Sequence, residues 1–392
     1  MQLILSAKNQ VKPLPFHLYF WTIIFITGSG LAASIYLSVS HLRVYTDIGY
    51  RSFCAISRAL NCDTVSQSPY AVFLNVPVPV WGILGYAFLL IFVLIFVGPR
   101  NSRGRGLAIA FSISLAFSGY SAVLAFISSY FIGAYCIVCI YTYAVNFMLA
   151  YMTWLVRKRF EDRSYRQALK ADIRYLKQRL KLSASMAGIV VGSILLMVLF
   201  FPAYWNLDFS DNMVNLPTGF TDDGHPWIGS VSAPVVITEY SDYLCFQCKK
   251  MNFYLREFIS RHPGRIKLVH RHFPMDSRFN PIVNAPFHEG AGLMALIAIH
   301  AAEKGKFWPV NDYLFNIAGN HARVDIDGIA AKLGLNAGQT KKALNDRTVR
   351  QNLWLDIKQG LKLGITGTPS YVIEDRVYHG MIPAEVFDRI IN

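Results

Sequence analysis

Residues 134–143 read AYCIVCIYTY and place two cysteines, Cys136 and Cys139, one helical turn apart. They open an apolar run that continues to Leu155. A run of this length is enough for a helix to cross the hydrocarbon core of a bilayer. The stretch therefore predicts a dithiol at one end of a membrane-spanning helix.

Four further apolar runs predict an all-α bundle of four transmembrane helices plus a fifth linking helix. The five runs cover residues 17–39, 80–97, 107–130, 135–155 and 186–205. Only 16% of the 392 residues are charged, whereas about a quarter is usual in soluble proteins. The chain is therefore predicted to lie in a lipid bilayer and to carry a soluble part.

Positive charge is concentrated in one segment. Residues 156–185 hold ten Lys or Arg and three acids, which accounts for +7 of the net charge of +14. This is typical of a cytoplasmic loop beside anionic lipid rather than of a nucleic-acid-binding surface. An apolar stripe in the segment predicts a helix on the membrane surface or, alternatively, a partner-binding helix. The stripe consists of Leu169, Ile173, Leu176 and Leu180.

Basic residues that flank the apolar runs predict the orientation of the bundle, because Lys and Arg concentrate on the cytoplasmic side. The N-terminus and the segment 156–185 are then cytoplasmic. Residues 40–70 and everything after residue 205 lie on the outer side. The other flanking basic residues are Lys8, Lys12, Arg100, Arg103 and Arg105.

The cysteines form three close pairs, and this topology places all of them towards the outer side. The pairs are Cys54 with Cys62, Cys136 with Cys139, and Cys245 with Cys248. Free cysteines can also serve as small hydrophobic residues, and a pair such as Cys54 and Cys62 can be a purely structural disulfide. The shared side favours a thiol-exchange role for all three pairs.

The soluble part is predicted to be an α/β domain. Residues 206–230 are polar with Pro and Gly and are interpreted as a linker. Residues 231–392 show the order β-α-β, then helices, then β-β-α. Strands are predicted at 235–243 and 266–273, helices at 245–262 and within 284–361, and a hairpin at 369–380. The histidines His225, His270 and His272 are interpreted as solvent-facing or strand-edge residues without a role.

The CFQC sequence of this domain follows a strand and opens a helix. A helix N-terminus stabilises a thiolate, so Cys245 is expected to be the attacking thiol and Cys248 the resolving thiol. The strand–CxxC–helix order is typical of thioredoxin-like folds. A zinc site needs four ligands, and no second Cys or His pair stands nearby at metal-site spacing.

This domain resembles the DsbA-like thiol oxidoreductases. The resemblance rests on SAPVVITEYSDYLCFQC (232–248), AAEKGKFWPVNDYLF (301–315) and GITGTPSYVI (364–373). It implies a cis bond before Pro369, opposite the CxxC, with the backbone of Thr368 offered to an extended substrate. A trans proline at a strand edge is the alternative. Phe246 stands where the family often has proline, which leaves open whether the domain is an oxidase or an isomerase.

The deeper thiol of CIVC can be reached by a lipid-soluble two-electron acceptor, and quinones meet that requirement. YCIVCIYTYAVN (135–146), the C-x7-C-D block at Cys54–Asp63 and VPVPVWGILGY (76–86) resemble the vitamin K epoxide reductase family over residues 17–155. The resemblance implies that Cys139 lies nearest the quinone and that Cys54 and Cys62 shuttle electrons to the helix pair. It also implies that Ser66 lies in the active region.

Four further residues are expected to line the quinone pocket, although ordinary helix packing is an equal alternative for them. They are Tyr143, Asn146, Trp81 and Phe111. The expected cofactor is a quinone, ubiquinone or menaquinone, with no metal.

We therefore predict five segments. They are a vitamin K epoxide reductase-like membrane domain (1–155), a basic cytoplasmic segment (156–185), a fifth transmembrane helix (186–205), a linker (206–230) and a periplasmic DsbA-like domain (231–392). Bacterial family members often have this fusion architecture, which implies the bacterial inner (cytoplasmic) membrane.

The predicted function is a membrane thiol–disulfide oxidoreductase that makes disulfides in reduced exported proteins and passes the electrons to the membrane quinone pool. Nucleic acid is not an expected partner. Reverse electron flow that serves a periplasmic reductase or isomerase is the main alternative. A non-enzymatic copper-binding membrane protein that uses soft thiolates is another.

Overall fold

The computed structural model describes residues 14–47, 50, 52–56, 59–99, 104–207, 215–317 and 325–391. The chain divides into two compact units, one formed by Met1–Val44 with Arg51–Ala203 and the other by Tyr45–Tyr50 with Tyr204–Asn392. The basic residues Lys8, Lys12, Arg100 and Arg103, which support the predicted orientation, lie outside the described residues.

Within the described part of the first unit, five helices are long and apolar enough to cross a membrane. They are α1 (Phe16–Thr46), α3 (Val78–Phe92, continued by a π-helical segment Val93–Val97), α4 (Leu107–Ile127, continued by Ser128–Ile132), α5 (Ile137–Phe160) and α7 (Leu180–Phe200). The predicted all-α membrane bundle is therefore confirmed.

Shorter elements connect these helices. A short helix α2 (Cys62–Ser66) and the paired strands β1 (Val72–Phe73) and β2 (Val76–Pro77) lie between α1 and α3. Helix α6 (Tyr165–Gln178) lies between α5 and α7. Residues 40–70, which are predicted to lie on the outer side, therefore include the short helix α2.

The bounds of two apolar helices differ from the prediction. Helix α1 continues to Thr46 rather than ending at residue 39, and α7 begins at Leu180 rather than at residue 186. Hydropathy locates the apolar part of a helix, whereas backbone hydrogen bonding continues through flanking polar residues until the chain turns.

Helix α6 uses a different face from the predicted stripe. It buries Ala168 and Asp172, whereas Ile173 is exposed and Leu180 belongs to α7. The helix begins with a capping box in which Ser164 and Gln167 satisfy each other's backbone groups. The membrane-surface role of the stripe stays a prediction, and α6 is attached to the bundle both by the buried carboxylate of Asp172 and by Leu176, which packs against the apolar core.

That carboxylate caps the N-terminus of α4. Asp172 accepts hydrogen bonds from the backbone N–H groups of Gly106 at 2.7 Å, Ala108 at 3.0 Å and Ile109 at 3.3 Å. The residue at the start of α4 is Gly106, which has no side chain to act as a cap. A helix leaves its first N–H groups without intrahelical partners. The carboxylate of Asp172, from a distant segment, is the hydrogen-bond acceptor for these groups.

We expect Asp172→Ala to lower the free energy of unfolding by roughly 2 kcal/mol, because several buried N–H groups lose their acceptor. Thermal unfolding of the detergent-solubilised protein measures this. Asp162→Ala, which removes an exposed carboxylate of the same segment, is the control and should leave the unfolding temperature unchanged. Equal stability of the two variants would contradict the capping role.

Two glycines allow α1 and α3 to approach closely. A Cβ atom on Gly30 would lie 2.6 Å from the ring of Tyr86, and one on Gly82 would lie 2.6 Å from the Ser34 hydroxyl. Small residues permit such approach between membrane helices. The close crossing fixes the ring of Tyr86 between the two helices.

The second unit contains a six-stranded sheet in the order β3-β4-β6-β5-β7-β8. Strands β5 and β6 run parallel, and the other neighbours run antiparallel. The strands are β3 (Thr218–Phe220), β4 (Pro226–Gly229), β5 (Val235–Ser241), β6 (Ile266–His272), β7 (Ser370–Ile373) and β8 (Arg376–His379).

Seven helices of this unit are described. They are α8 (Phe246–Arg261), α9 (Ala291–Ala302), α10 (Phe307–Ile317), α11 (Ile326–Leu333), α12 (Ala337–Ala343), α13 (Arg347–Lys362) and α14 (Ala384–Ile391). An apolar core joins sheet residues such as Ile237 and Leu268 to helix residues such as Leu255 and Leu296. The predicted α/β class with inserted helices is confirmed.

The predicted linker at 206–230 differs from the structure in its second half. Strands β3 and β4 form a hairpin there, and β4 pairs with β6 in the sheet. Trp227 and Ile228 are buried. The Pro and Gly content suggested a linker, but Gly219, Pro226 and Gly229 lie within these short strands, which are stabilised by pairing in the sheet.

Candidate active site

The first cysteine pair is a disulfide, and the other two pairs are free thiols. Cys54 and Cys62 are bonded, with their Cα atoms 5.6 Å apart. Cys136 and Cys139, and likewise Cys245 and Cys248, are not bonded. The structure thus holds an oxidised loop pair together with two reduced CxxC pairs.

Backbone hydrogen bonds hold the loop pair beside the helix pair. The N–H of Asn61 donates to the carbonyl of Tyr135 at 2.9 Å, and the N–H of Tyr135 donates to the carbonyl of Ala59 at 2.7 Å. Cys62 follows Asn61, and Cys136 follows Tyr135. This short ladder therefore brings both cysteines to the same place, independently of their side chains.

Asn61 also begins α2. Its side-chain oxygen accepts hydrogen bonds from the N–H groups of Asp63 at 3.0 Å and Thr64 at 3.1 Å. Asparagine is a preferred N-cap residue because it satisfies these groups. The cap fixes Cys62 as the first residue of the helix.

The four cysteines of the first unit pack in one apolar cluster. Cys54, Cys62 and Cys136 are buried together with Leu37, and Cys139 packs against them. Thiol–disulfide exchange requires a sulfur to reach the disulfide that it attacks. The cluster therefore brings together the two pairs that the sequence predicts to exchange.

Cys136 is the N-cap of α5. Its sulfur accepts a hydrogen bond from the N–H of Cys139 at 3.2 Å. Cys139 lies one turn into the helix and faces a cavity that Cys136 does not line. The deeper thiol is thus the one with access to a ligand in that cavity, as the sequence predicts.

The cavity has a volume of about 330 Å³ and lies among α1, α2, α3, α4 and α5. Most of its lining is apolar, as is usual for sites that bind small molecules. Four of the predicted residues line it together with Cys139. They are Ser66, Trp81, Tyr143 and Asn146.

Asn146 is held in a hydrogen-bonded wall. The hydroxyl of Tyr86 donates to its Oδ1 at 2.7 Å, and its Nδ2 donates to the hydroxyl of Ser121 at 2.8 Å. Buried polar side chains are stable when they are paired in this way. Asn146 therefore connects α3, α4 and α5 as well as facing the cavity.

Phe111 does not line the cavity. Its ring packs edge-on against Tyr165 near the beginning of α4, with 6.0 Å between the ring centroids. The α4 residues that line the cavity begin at Ala116 and continue to Ser128. The prediction that Phe111 lines the cavity is therefore wrong. The cavity lies further along α4, and its position along the helix depends on tertiary packing that the sequence does not show.

Cys245 of the second unit has the same local geometry as Cys136. It is the N-cap of α8, and its sulfur accepts a hydrogen bond from the N–H of Cys248 at 3.3 Å. Its thiol also donates to the carbonyl of Thr368 at 3.5 Å. The Thr368–Pro369 bond is cis, as predicted.

The two thiols of CFQC differ in acidity. The pKa of Cys245 is lowered, mainly because the Cys248 thiol donates a hydrogen bond to it and also because His288 is within electrostatic range. Burial and Asp242 act in the opposite direction. Burial raises the pKa of Cys248 well above its ordinary value. The prediction that Cys245 is the more acidic thiol is confirmed.

Sequence reasoning missed the Asp242–His288 pair. His288 Nδ1 lies 3.0 Å from Asp242 Oδ2. The buried Asp242 carboxylate also accepts from the backbone N–H groups of Leu244 at 2.7 Å and Met275 at 2.6 Å. Asp242 thus holds the imidazole near a CxxC that has no charged residue between its cysteines. The only sequence signal was an acid three residues before Cys245.

The interpretation of the strand histidines is also corrected. His270 and His272 are buried, and His270 Nδ1 lies 2.7 Å from Glu239 Oε1. His270 Nε2 lies 3.3 Å from His272 Nδ1. His225 pairs with Asp356 at 2.7 Å. A single sequence does not show which strand face is covered, and α10 and α13 cover this one.

We expect His288→Gln to raise the pKa of the Cys245 thiol, because the electrostatic influence of His288 that favours the thiolate is removed. The thiolate fraction of Cys245 at neutral pH should fall, and the midpoint of its pH-dependent alkylation should move upward. The rate of alkylation by iodoacetamide, followed on the reduced full-length chain by peptide mass spectrometry, measures this.

His262→Gln is the matched control, since His262 ends the same helix at its other terminus. Its alkylation profile should coincide with that of the wild type. A His288→Gln profile with an unchanged midpoint would show that the pair has no electrostatic influence on Cys245.

The arrangement of the cysteines is that of thiol–disulfide chemistry. One pair is bonded, and each of the other two stands as a CxxC at the start of a helix. Among the described residues, no group of three or more His, Cys, Asp or Glu side chains is arranged to hold a metal ion.

Five apolar helices with a dithiol beside a cavity, and a sheet domain with a second dithiol at a helix N-terminus, define a multi-pass, multi-domain membrane protein with thiol-based sites. Residues 21–154 match the model of the vitamin K epoxide reductase family, and residues 221–392 match a thioredoxin model. The chain thus joins a vitamin K epoxide reductase-family domain to a thioredoxin-like domain.

Two solved structures illustrate the likeness of the thioredoxin-like part. A thioredoxin-like oxidoreductase from Silicibacter pomeroyi DSS-3 is 23% identical, covers 47% of this chain and 96% of its own, and has a TM-score of 0.35. Oxidised BdbD from Bacillus subtilis is 22% identical, covers 45% of this chain and 96% of its own, and has a TM-score of 0.36.

The curated relatives are larger proteins. The Na(+)/H(+) antiporter NhaA 1 of Salinispora arenicola is 25% identical over 186 residues, which are 47% of this chain and 27% of the antiporter. The chain thus spans about a quarter of the length of the curated relatives that it matches. The antiport activity in their names belongs to those proteins.

Proposed function

We propose that this protein is a membrane thiol–disulfide oxidoreductase that introduces disulfides into exported proteins and passes the electrons to a membrane quinone. The observation that carries the proposal is the position of Cys139. It lines an apolar cavity of the helix bundle and also packs in the cluster that holds the Cys54–Cys62 disulfide.

The route begins at the thioredoxin-like domain. A thiolate of a reduced substrate protein attacks the Cys245–Cys248 disulfide at Cys245, and the second substrate thiolate then displaces Cys245. The substrate loses two electrons and gains a disulfide, and the CFQC pair becomes a dithiol. The lowered pKa of Cys245 favours it as the leaving thiolate and as the next nucleophile.

The loop pair carries the electrons onward. Cys245 attacks Cys54, Cys62 leaves as a thiolate, and Cys248 closes the CFQC disulfide again. Cys62 then attacks Cys136 of an oxidised CIVC pair, so that Cys139 is released as a thiolate and Cys54 restores the loop disulfide. The ladder between Asn61 and Tyr135 keeps Cys62 and Cys136 close during these exchanges.

The cavity residues suit a quinone. The apolar lining matches a lipid-soluble ring, and polar side chains such as those of Tyr143 and Asn146 reach the same space. A bound quinone, ubiquinone or menaquinone, supplies a two-electron acceptor. Cys139 is the thiol that faces it, and Cys136 closes the disulfide.

We assign the protein to the bacterial inner membrane with the thioredoxin-like domain in the periplasm. The basic segment at 156–185 supports a cytoplasmic position for that loop. All three cysteine pairs then lie towards the periplasmic side, where thiols meet exported substrate proteins.

We expect Cys139→Ala to reduce quinone reduction by the full-length protein to the background rate, because the thiol that faces the cavity is removed. A reduced dithiol peptide supplies electrons, and the absorbance of the quinone reports turnover. Disulfide exchange between the peptide and Cys245 should be unchanged.

Ser129→Ala, which alters an exposed hydroxyl near the same end of the bundle, is the control and should retain turnover. Failure of the wild-type protein to reduce either ubiquinone or menaquinone analogues would overturn the oxidase proposal and favour reverse electron flow.

We also expect Cys248→Ser to accumulate a mixed disulfide between Cys245 and Cys54, because the resolving thiol is absent. Mass spectrometry of proteolytic peptides from the non-reduced protein identifies the linked pair. Cys245→Ser should give no link. A link from Cys245 to Cys62 would contradict the assigned order of the loop cysteines.

A further inference from the structure

A buried histidine faces the same cavity as Cys139. His41 lies in the last turns of α1 and is 1% exposed. It lines the cavity together with Ser34 and Leu37 of the same helix. The spacings of three and four residues place these side chains on one helix face. His41 therefore belongs to a row that α1 directs towards the cavity.

An ionisable side chain within a membrane helix is costly and usually marks a functional site. The ionisable residues that line the cavity are His41, Cys139, Tyr70, Tyr86, Tyr120 and Tyr143. Among the described lining residues there is no Asp, Glu, Lys or Arg. His41 is thus the lining residue whose side chain has two ring nitrogens, so that one can accept a proton while the other donates one.

Three other polar residues of the cavity wall are hydrogen-bonded to one another. The hydroxyl of Tyr86 donates to Asn146, and Asn146 donates to Ser121. These hydrogen bonds connect three helices and hold the wall. This arrangement suits Asn146 and Tyr86 for positioning a ligand rather than for moving a proton.

We propose that His41 is the proton donor for quinone reduction in this cavity, an inference that rests on the proposed function. The reaction breaks two S–H bonds of Cys136 and Cys139 and forms their S–S bond. Two electrons and two protons leave the dithiol, and two O–H bonds form as the quinone becomes a hydroquinone. His41 accepts a proton that one thiol releases and gives it to one quinone oxygen, and the proton of the other thiol passes to the second quinone oxygen.

The test compares His41→Gln with the wild type in a single turnover of the reduced full-length protein with a soluble quinone analogue. Glutamine keeps hydrogen-bonding capacity but does not transfer protons. The rate of hydroquinone formation should fall by about 100-fold or more, the usual size of a general-acid contribution. The wild type should show a solvent deuterium isotope effect on this rate, and the effect should be smaller or absent in His41→Gln.

Quinone binding is a separate readout, since Trp81 also lines the cavity and its fluorescence should be quenched by the bound ring. The dissociation constant of His41→Gln should stay within about threefold of the wild type, because the loss concerns proton transfer. His17→Gln, an exposed histidine at the other end of α1, is the matched control and should retain the wild-type rate and isotope effect.

The outcomes separate the two proposals. If the wild type reduces quinone and His41→Gln does so at the same rate, the proton-donor role fails while the oxidase function stands. If His41→Gln loses quinone binding, its rate no longer tests proton transfer, and the solvent isotope effect of the wild type is the test instead. Absence of that effect overturns the proton-donor role of His41. If the wild type reduces no quinone, the proposed function fails and this inference fails with it.

Discussion

Both dithiols of this chain are built on the unsatisfied backbone N–H groups at the start of a helix. Cys136 and Cys245 each occupy the N-cap, and each sulfur accepts the N–H of the cysteine three residues later. The helix N-terminus carries partial positive charge and favours a thiolate. The first cysteine of each pair is thus prepared for exchange, while the second lies one turn into its helix. One local constraint serves two unrelated folds.

The surroundings then give the two pairs different partners. Thr368 and the cis Pro369 lie beside Cys245 in the thioredoxin-like domain, where a carbonyl group meets the thiol. Cys139 instead faces an apolar cavity among membrane helices. A carbonyl beside the first thiol suits an extended polypeptide, and an apolar cavity beside the second suits a lipid-soluble ring. The Cys54–Cys62 disulfide packs against Cys136 in the first unit.

Local features could be predicted from the sequence, and long-range contacts could not. The apolar runs and the CxxC helices depend on residues that are close in the chain, and the cis proline is implied by the resemblance to DsbA-like proteins. His288 meets Asp242 across 46 residues, and a single sequence carries no record of such a contact. The Phe111 prediction is wrong for a related reason: an apolar residue on a membrane helix indicates the helix but not the depth of a cavity. His41 escapes sequence reasoning because it lies beyond the predicted apolar run 17–39, in the part of α1 that only the structure shows to be helical.

The cap that Asp172 provides has a consequence for how the bundle is made. It lies 66 residues after Gly106, beyond the whole of α4 and α5. As the chain leaves the ribosome, α4 and α5 are complete before the carboxylate that closes the start of α4 has been synthesised. The N-terminus of α4 is therefore capped only after α6 has emerged. The start of one membrane helix thus depends on a part of the chain that is synthesised after the next membrane helix.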